Sequence, residues 1–145
     1  MEEEVKPKKK NWQSIIGVAV GVGVMTAVVN LNRTDPYNKL VEVTEENNKK
    51  GPFMVDAETR IDSTWAIKDP LTIVYDYTII SANKDSLSVD LNDIKKTLTK
   101  QTQDMLDNEP GMATFRRYNV SMKYNYKDKK GKSLFDFTIK PTNVE

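Results

Sequence analysis

The chain contains no cysteine and no histidine. The first absence removes disulfides, thiolate nucleophiles and cysteine-based zinc or iron–sulfur sites. The second removes the commonest general base and transition-metal ligand, and with it serine-triad, cysteine–histidine and zinc-hydrolase chemistry in their usual forms. Only carboxylates, Lys, Tyr and hydroxyls are left, so no cofactor or resident metal is expected. Net charge of one sign is also scarce. Against 22 Lys and Arg stand 21 Asp and Glu, a formal +1 over 145 residues, so no global field draws the protein toward nucleic acid. Beyond residue 31 the two signs balance at 18 each. The length allows one small domain with an appended segment, and no internal repeat is present.

What the chain does have is an apolar run, "IIGVAVGVGVMTAVV" at residues 15–29, inside a stretch from Lys10 to Arg33 without an ionisable side chain. As a helix, residues 12–31 measure about 30 Å, the thickness of a bilayer's hydrocarbon core. Trp12 lies at one edge, and Lys8, Lys9 and Lys10 lie just outside it, as headgroup anchors do. A dinucleotide loop needs a third glycine where Thr26 stands. A buried strand is far shorter than this run. A cleaved signal peptide explains the Lys-rich start, but the run is longer than an h-region and lacks a clear small-x-small site. The favoured reading is an uncleaved signal anchor over 12–31, following a cytoplasmic basic tail at 1–11. Four Lys precede the span and only Arg33 and Lys39 follow within fifteen residues, which puts the N-terminus in the cytoplasm and the bulk of the chain outside. Gly17 and Gly21, four residues apart, give the span a small-residue face for packing on another helix, a route to a homo-oligomer.

After the span, Asp35-Pro36 and Gly51-Pro52 bracket a helix of about 36–49 within a helical linker at 32–51. This helix is expected to carry the domain away from the bilayer. The extracytoplasmic domain, 52–145, opens with Val55, Ala57, Thr59 and Ile61 alternating with Asp56, Glu58, Arg60 and Asp62, which predicts a half-buried strand. "LTIVYDYTII" at 71–80 predicts a second strand. Leu91, Ile94, Leu98, Met105 and Leu106 recur at helical spacing, predicting the main helix over about 90–107. Val120, Met122, Tyr124 and Tyr126 alternate before the turn "KDKKGK", and Leu134 to Ile139 returns. The expected fold class is therefore α+β. An N-terminal transmembrane helix precedes a small β-β-α-β-β domain with a four-stranded antiparallel sheet and one main helix.

Asp56, Glu58 and Asp62 on one strand face would repeat at about 6.8 Å, a spacing that suits a carboxylate pair or a small-ligand or metal site. Arg60 between them turns the same face toward paired surface charge. Arg116, Arg117 and Tyr118 have the composition of protein interfaces. These seven residues are the candidate ligand- or partner-binding positions. A domain this small has little room for an enclosed cleft, so no catalytic residue is assigned and binding, not catalysis, is expected. The basic turn Lys127, Lys129, Lys130 and Lys132 is interrupted by Asp128 and reads as a solvated turn. No nucleic-acid partner is expected.

The stretch "GPFMVDAETRIDS" resembles a motif of uncharacterised small bacterial exported or membrane-anchored proteins: Pro, then Met-Val-Asp-x-Glu-Thr-Arg-x-Asp. The similarity in pattern continues through Tyr75 and Tyr77, a helix, Pro110, and Tyr124 and Tyr126, over roughly residues 40–145. The two cysteines frequent in that group are missing here. The resemblance implies export and no particular activity. With the residue-level reading it predicts a single-pass protein of the bacterial inner membrane whose periplasmic domain binds another protein, as an envelope or secretion accessory or an immunity-type protector. The alternative is a released periplasmic domain that binds a small ligand or metal through the face of Asp56, Glu58, Arg60 and Asp62.

Overall fold

The computed structural model describes residues 35–144. The expected span over 12–31, with Gly17 and Gly21, lies outside the described residues. Among those described, no helix is long and apolar enough to cross a membrane.

Helix α1, Pro36–Lys50, starts on Pro36, whose fixed φ suits a first helical position. It ends at Gly51 with Lys49 and Lys50 in its last turn, where the helix dipole favours positive charge. It buries Leu40, Val43, Thr44 and Asn47 at helical spacing. Strand β1, Phe53–Met54, and β2, Thr59–Ile67, flank a tight turn at 55–58. Strand β3 is Thr72–Ile79. A single 3-10 turn at Lys84–Ser86 leads to α2, Leu91–Asn108, capped by the Asp90 carboxylate on the Asn92 N–H at 2.8 Å. A second 3-10 turn, Pro110–Met112, leads to the short α3, Ala113–Arg117. Strands β4, Ser121–Asp128, and β5, Ser133–Ile139, close the fold.

The strands form one sheet in the order β1-β2-β3-β4-β5. The pairs β1/β2, β2/β3 and β4/β5 are antiparallel, but β3 and β4 run parallel. The expected four-stranded antiparallel sheet with one main helix is thus corrected to a five-stranded mixed sheet with three α-helices. Two physical causes account for it. The Asp56 side chain bonds the backbone of the next residues and folds 55–58 into a turn, so the predicted first strand splits in two. The long connection from β3 to β4 carries two helices across the sheet and returns the chain in the same direction, as a parallel pair requires.

Helices α1 and α2 share one buried cluster with the inner sheet face, joining Leu40, Ile94, Leu98 and Leu106 to the strands. That face carries a ladder of rings. Tyr75 stacks on Tyr124 at 5.3 Å and Tyr124 on Phe137 at 5.0 Å; one row along, Tyr77 stacks on Tyr126 at 5.2 Å and Tyr126 on Phe135 at 4.7 Å. Each such cross-strand pair adds about 0.5–1.5 kcal/mol beyond its buried area. Burial holds the phenols of Tyr75, Tyr124 and Tyr126 well above their ordinary pKa, and pushes Tyr77 up in the same way, with the Asp56 charge adding to it.

Candidate functional site: the uncovered sheet face

No described element covers the opposite face of the sheet. Its rows follow from the register. Arg60 lies beside Thr78 and Thr78 beside Lys127; Asp76 lies beside Asn125 and Asn125 beside Asp136; Trp65 lies beside Val74 and Val74 beside Lys123. The register slips between Ile61 and Ser63, and this bulge at Asp62 decides what β2 shows. Beyond it Thr64 and Ala66 fall opposite Tyr75 and Ile73, while Trp65 and Ile67 move to the outer face. Trp65 is 41% and Ile67 38% exposed, whereas Val74 between the neighbouring strands is fully buried. Met54, beside Arg60 on the sheet edge, is 44% exposed.

The polar rows are internally bonded. Arg60 Nε donates to Asp62 Oδ1 at 2.6 Å, and Thr78 Oγ1 donates to Asp62 Oδ2 at 2.5 Å. Asn125 Nδ2 donates to Asp76 Oδ1 at 2.9 Å. These contacts fix the charged side chains in place, and the row of Asp76, Asn125 and Asp136 lies next to that of Trp65, Val74 and Lys123, so the surface is amphipathic, with its aromatic residue near the β2–β3 turn. Such a surface can bind another macromolecule by area and shape; it offers no enclosed volume for a small substrate. The apolar pocket beneath Ile79, Leu87, Val89 and Phe135 holds only about 10 Å³, about one water at most. A groove of about 440 Å³ on the exposed side of α2, lined by Asn92, Lys95, Lys96, Thr99, Lys100, Gln103 and Asp104, is open to solvent.

The seven sequence-predicted positions separate into three places. Arg60 and Asp62 lie on the uncovered face. Asp56 and Glu58 lie in the 55–58 turn, not on a strand: Asp56 Oδ1 accepts the N–H groups of Glu58 and Thr59 at 2.8 and 2.7 Å, and Glu58 accepts from the Ser81 hydroxyl. The four therefore do not form one row of ligands, and among the described residues no group of three or more acidic side chains could hold a metal ion. Arg116, Arg117 and Tyr118 lie at the end of α3. Arg116 is buried, and its Nη1 donates to the carbonyls of Leu106 and Glu109, both at 2.9 Å, closing the C-terminus of α2. Arg117 is exposed, and Tyr118 packs partly against the core.

Trp65, Thr78, Asp76 and Asn125 were not among the sequence candidates. Asp76 and Thr78 alternate with Tyr75 and Tyr77, a signal that was present in the second strand. The bulge that exposes Trp65 left no comparable pattern.

Elsewhere, Asp128 is a structural carboxylate. The N–H of Lys84 at 2.9 Å, and those of Lys130 and Lys132 at 2.8 Å, hold it below the usual carboxylate range despite its burial.

No curated protein matches this chain. Among solved structures, the fold is similar to that of a presumed secreted protein from Pseudomonas aeruginosa, with a TM-score of 0.56 at 9% identity over 77% of this chain and 94% of that one. It is also similar to EpsS, the pilotin of the Vibrio vulnificus type 2 secretion system, with a TM-score of 0.55 at 4% identity over 75% of this chain and 91% of that one. At such identities the likeness is one of fold. Residues 36–135, from the start of α1 into β5, match the model of a family described as a domain of unknown function (DUF8479), and the chain belongs to that family.

Proposed function

We propose that this is an exported, membrane-tethered accessory protein of the bacterial envelope whose uncovered sheet face binds another protein. The observation that carries the reading is the outer face around Trp65, where exposed Trp65 and Ile67 adjoin a row of internally bonded polar side chains, on a domain whose other face is filled by two helices. Trp and Arg dominate the energetics of protein contacts, and both stand on this face. The tether reading rests on the charge-free apolar run over 12–31, and the two similar folds, one from a presumed secreted protein and one from a secretion-system pilotin, support the envelope setting.

Site-specific photocrosslinking in cells tests the reading. A photoreactive residue at Trp65 is expected to trap one defined protein, and one at Lys95 on the exposed side of α2 is not. Trp65→Ala should weaken the complex by about 2 kcal/mol or more without unfolding the domain. Equal labelling from both positions, or a complex indifferent to Trp65→Ala, sinks the proposal.

A further inference from the structure

We infer that one corner of the domain, formed by Tyr37, Ile67 and Lys68, rests on the lipid headgroup layer; the inference builds on the proposed tether. The Lys68 ammonium lies 5.7 Å from the centre of the Tyr37 ring, and eleven residues further along the helix, four residues back along the strand, Asn48 bonds the backbone of Thr64. Helix α1 thus runs antiparallel to β2, and its first turn lies beside the β2–β3 turn. Three residues, Asn32 to Thr34, separate the apolar run from Asp35. They reach at most about 11 Å, whereas the nine residues of β2 extend about 30 Å. The corner at Tyr37 is therefore held at the bilayer surface, and the turn at 129–132 stands far from it.

The chemistry at the near corner suits that position. An aromatic ring with a polar tip and a long-stemmed ammonium sit side by side, the pairing that favours membrane–water interfaces. Next to them Ile67 is 38% exposed at the end of β2. Headgroup contact would cover this apolar surface while the Lys68 stem reaches along it toward phosphate. In this pose the sheet stands upright on the membrane and its uncovered face looks sideways.

Because the chain has no native cysteine, single fluorophores can be placed on the full-length protein at Asp69→Cys and at Lys130→Cys. Both are reconstituted in phosphatidylethanolamine–phosphatidylglycerol vesicles containing headgroup nitroxides. Flotation comes first; a chain that does not float with vesicles overturns the tether itself. For a chain that floats, quenching should be several-fold stronger at 69 than at 130, and adding Ile67→Asp should reduce it at 69 while circular dichroism stays unchanged. Equal quenching at both positions, or quenching at 69 indifferent to Ile67→Asp, overturns the docked corner and leaves the tether standing. Shielding of 69 that appears only in native envelope vesicles assigns the corner to a protein and also overturns the inference.

Discussion

Asn48 shows how one side chain can replace a strand. Thr64 on β2 lies beyond the reach of the two-residue β1, and its edge-facing backbone would be unpaired. The Asn48 carboxamide supplies both partners: Thr64 N–H donates to Oδ1 and Nδ2 donates to Thr64 C=O, each at 2.8 Å. An amide is the side chain that best imitates a peptide group, having one acceptor and one donor in a plane. Asn48→Ala should therefore cost about 1–3 kcal/mol of stability, read from the urea midpoint. Tyr75 makes the opposite case. Its hydroxyl is buried without a hydrogen-bond partner, so Tyr75→Phe should leave stability unchanged or raise it by about 1 kcal/mol. Tyr75→Ala, which empties the ring's place in the ladder, should cost about 3–5 kcal/mol. The sequence marked Tyr75 as a strand residue by its place in a run rich in β-branched and aromatic residues, but it could not show Asn48, whose role exists only because Thr64 lies opposite it. Arg116 was read as an interface residue on composition alone. Its burial and its two carbonyl partners make it the closure of α2, a distinction between two uses of the same guanidinium that only the fold draws.

Among the elements, the aromatic ladder is the most consequential. Its four tyrosines belong to the two central strands, whose parallel register places Tyr75 beside Tyr124 and Tyr77 beside Tyr126. All four phenols are held above their ordinary pKa of 10.0 chiefly by burial. The folded state thus keeps protons that the unfolded state releases, and the linkage has a definite sign: this contribution is fully present below pH 10 and is lost as the pH rises above it. Alkaline titration should show tyrosinate absorbance from these residues appearing together with the loss of secondary structure; their smooth titration in a folded protein would contradict the ladder. The β2 bulge is the element that the sequence concealed. Val55 to Asp62 alternate as a strand would, but Asp56 accepts the Glu58 and Thr59 N–H groups and turns the chain within that run. The extra residue at Asp62 then reverses the alternation for the remainder of β2. Period-two reasoning holds only while each residue faces one partner, and both features break that condition.

At the scale of the whole molecule, the sheet is built from an antiparallel three-stranded unit, β1 to β3, joined in parallel to the antiparallel pair β4/β5, with β3 paired along its length on both sides. Native-state hydrogen exchange should therefore be slowest in Thr72–Ile79 and fastest in Phe53–Met54, because opening β3 requires breaking both pairs while β1 has one short partner. Faster exchange in β3 than in β5 would contradict the order. Composition and periodicity by themselves determined much of this protein. The missing cysteine and histidine excluded whole chemistries, and the 3.6-residue stripe of Ile94, Leu98 and Leu106 located α2. Pro36 and Gly51 marked the ends of α1, and the alternation around Tyr124 located β4. Those are local properties, set by dihedral preference and by the need to bury one side of an element. Tertiary structure alone decided the parallel pairing of β3 and β4, the splitting of the first strand and the place of Trp65 on the uncovered face. Each depends on a partner distant in sequence: the strand that accepts the register, the turn that a carboxylate holds shut, or the helix that covers one face and leaves the other bare.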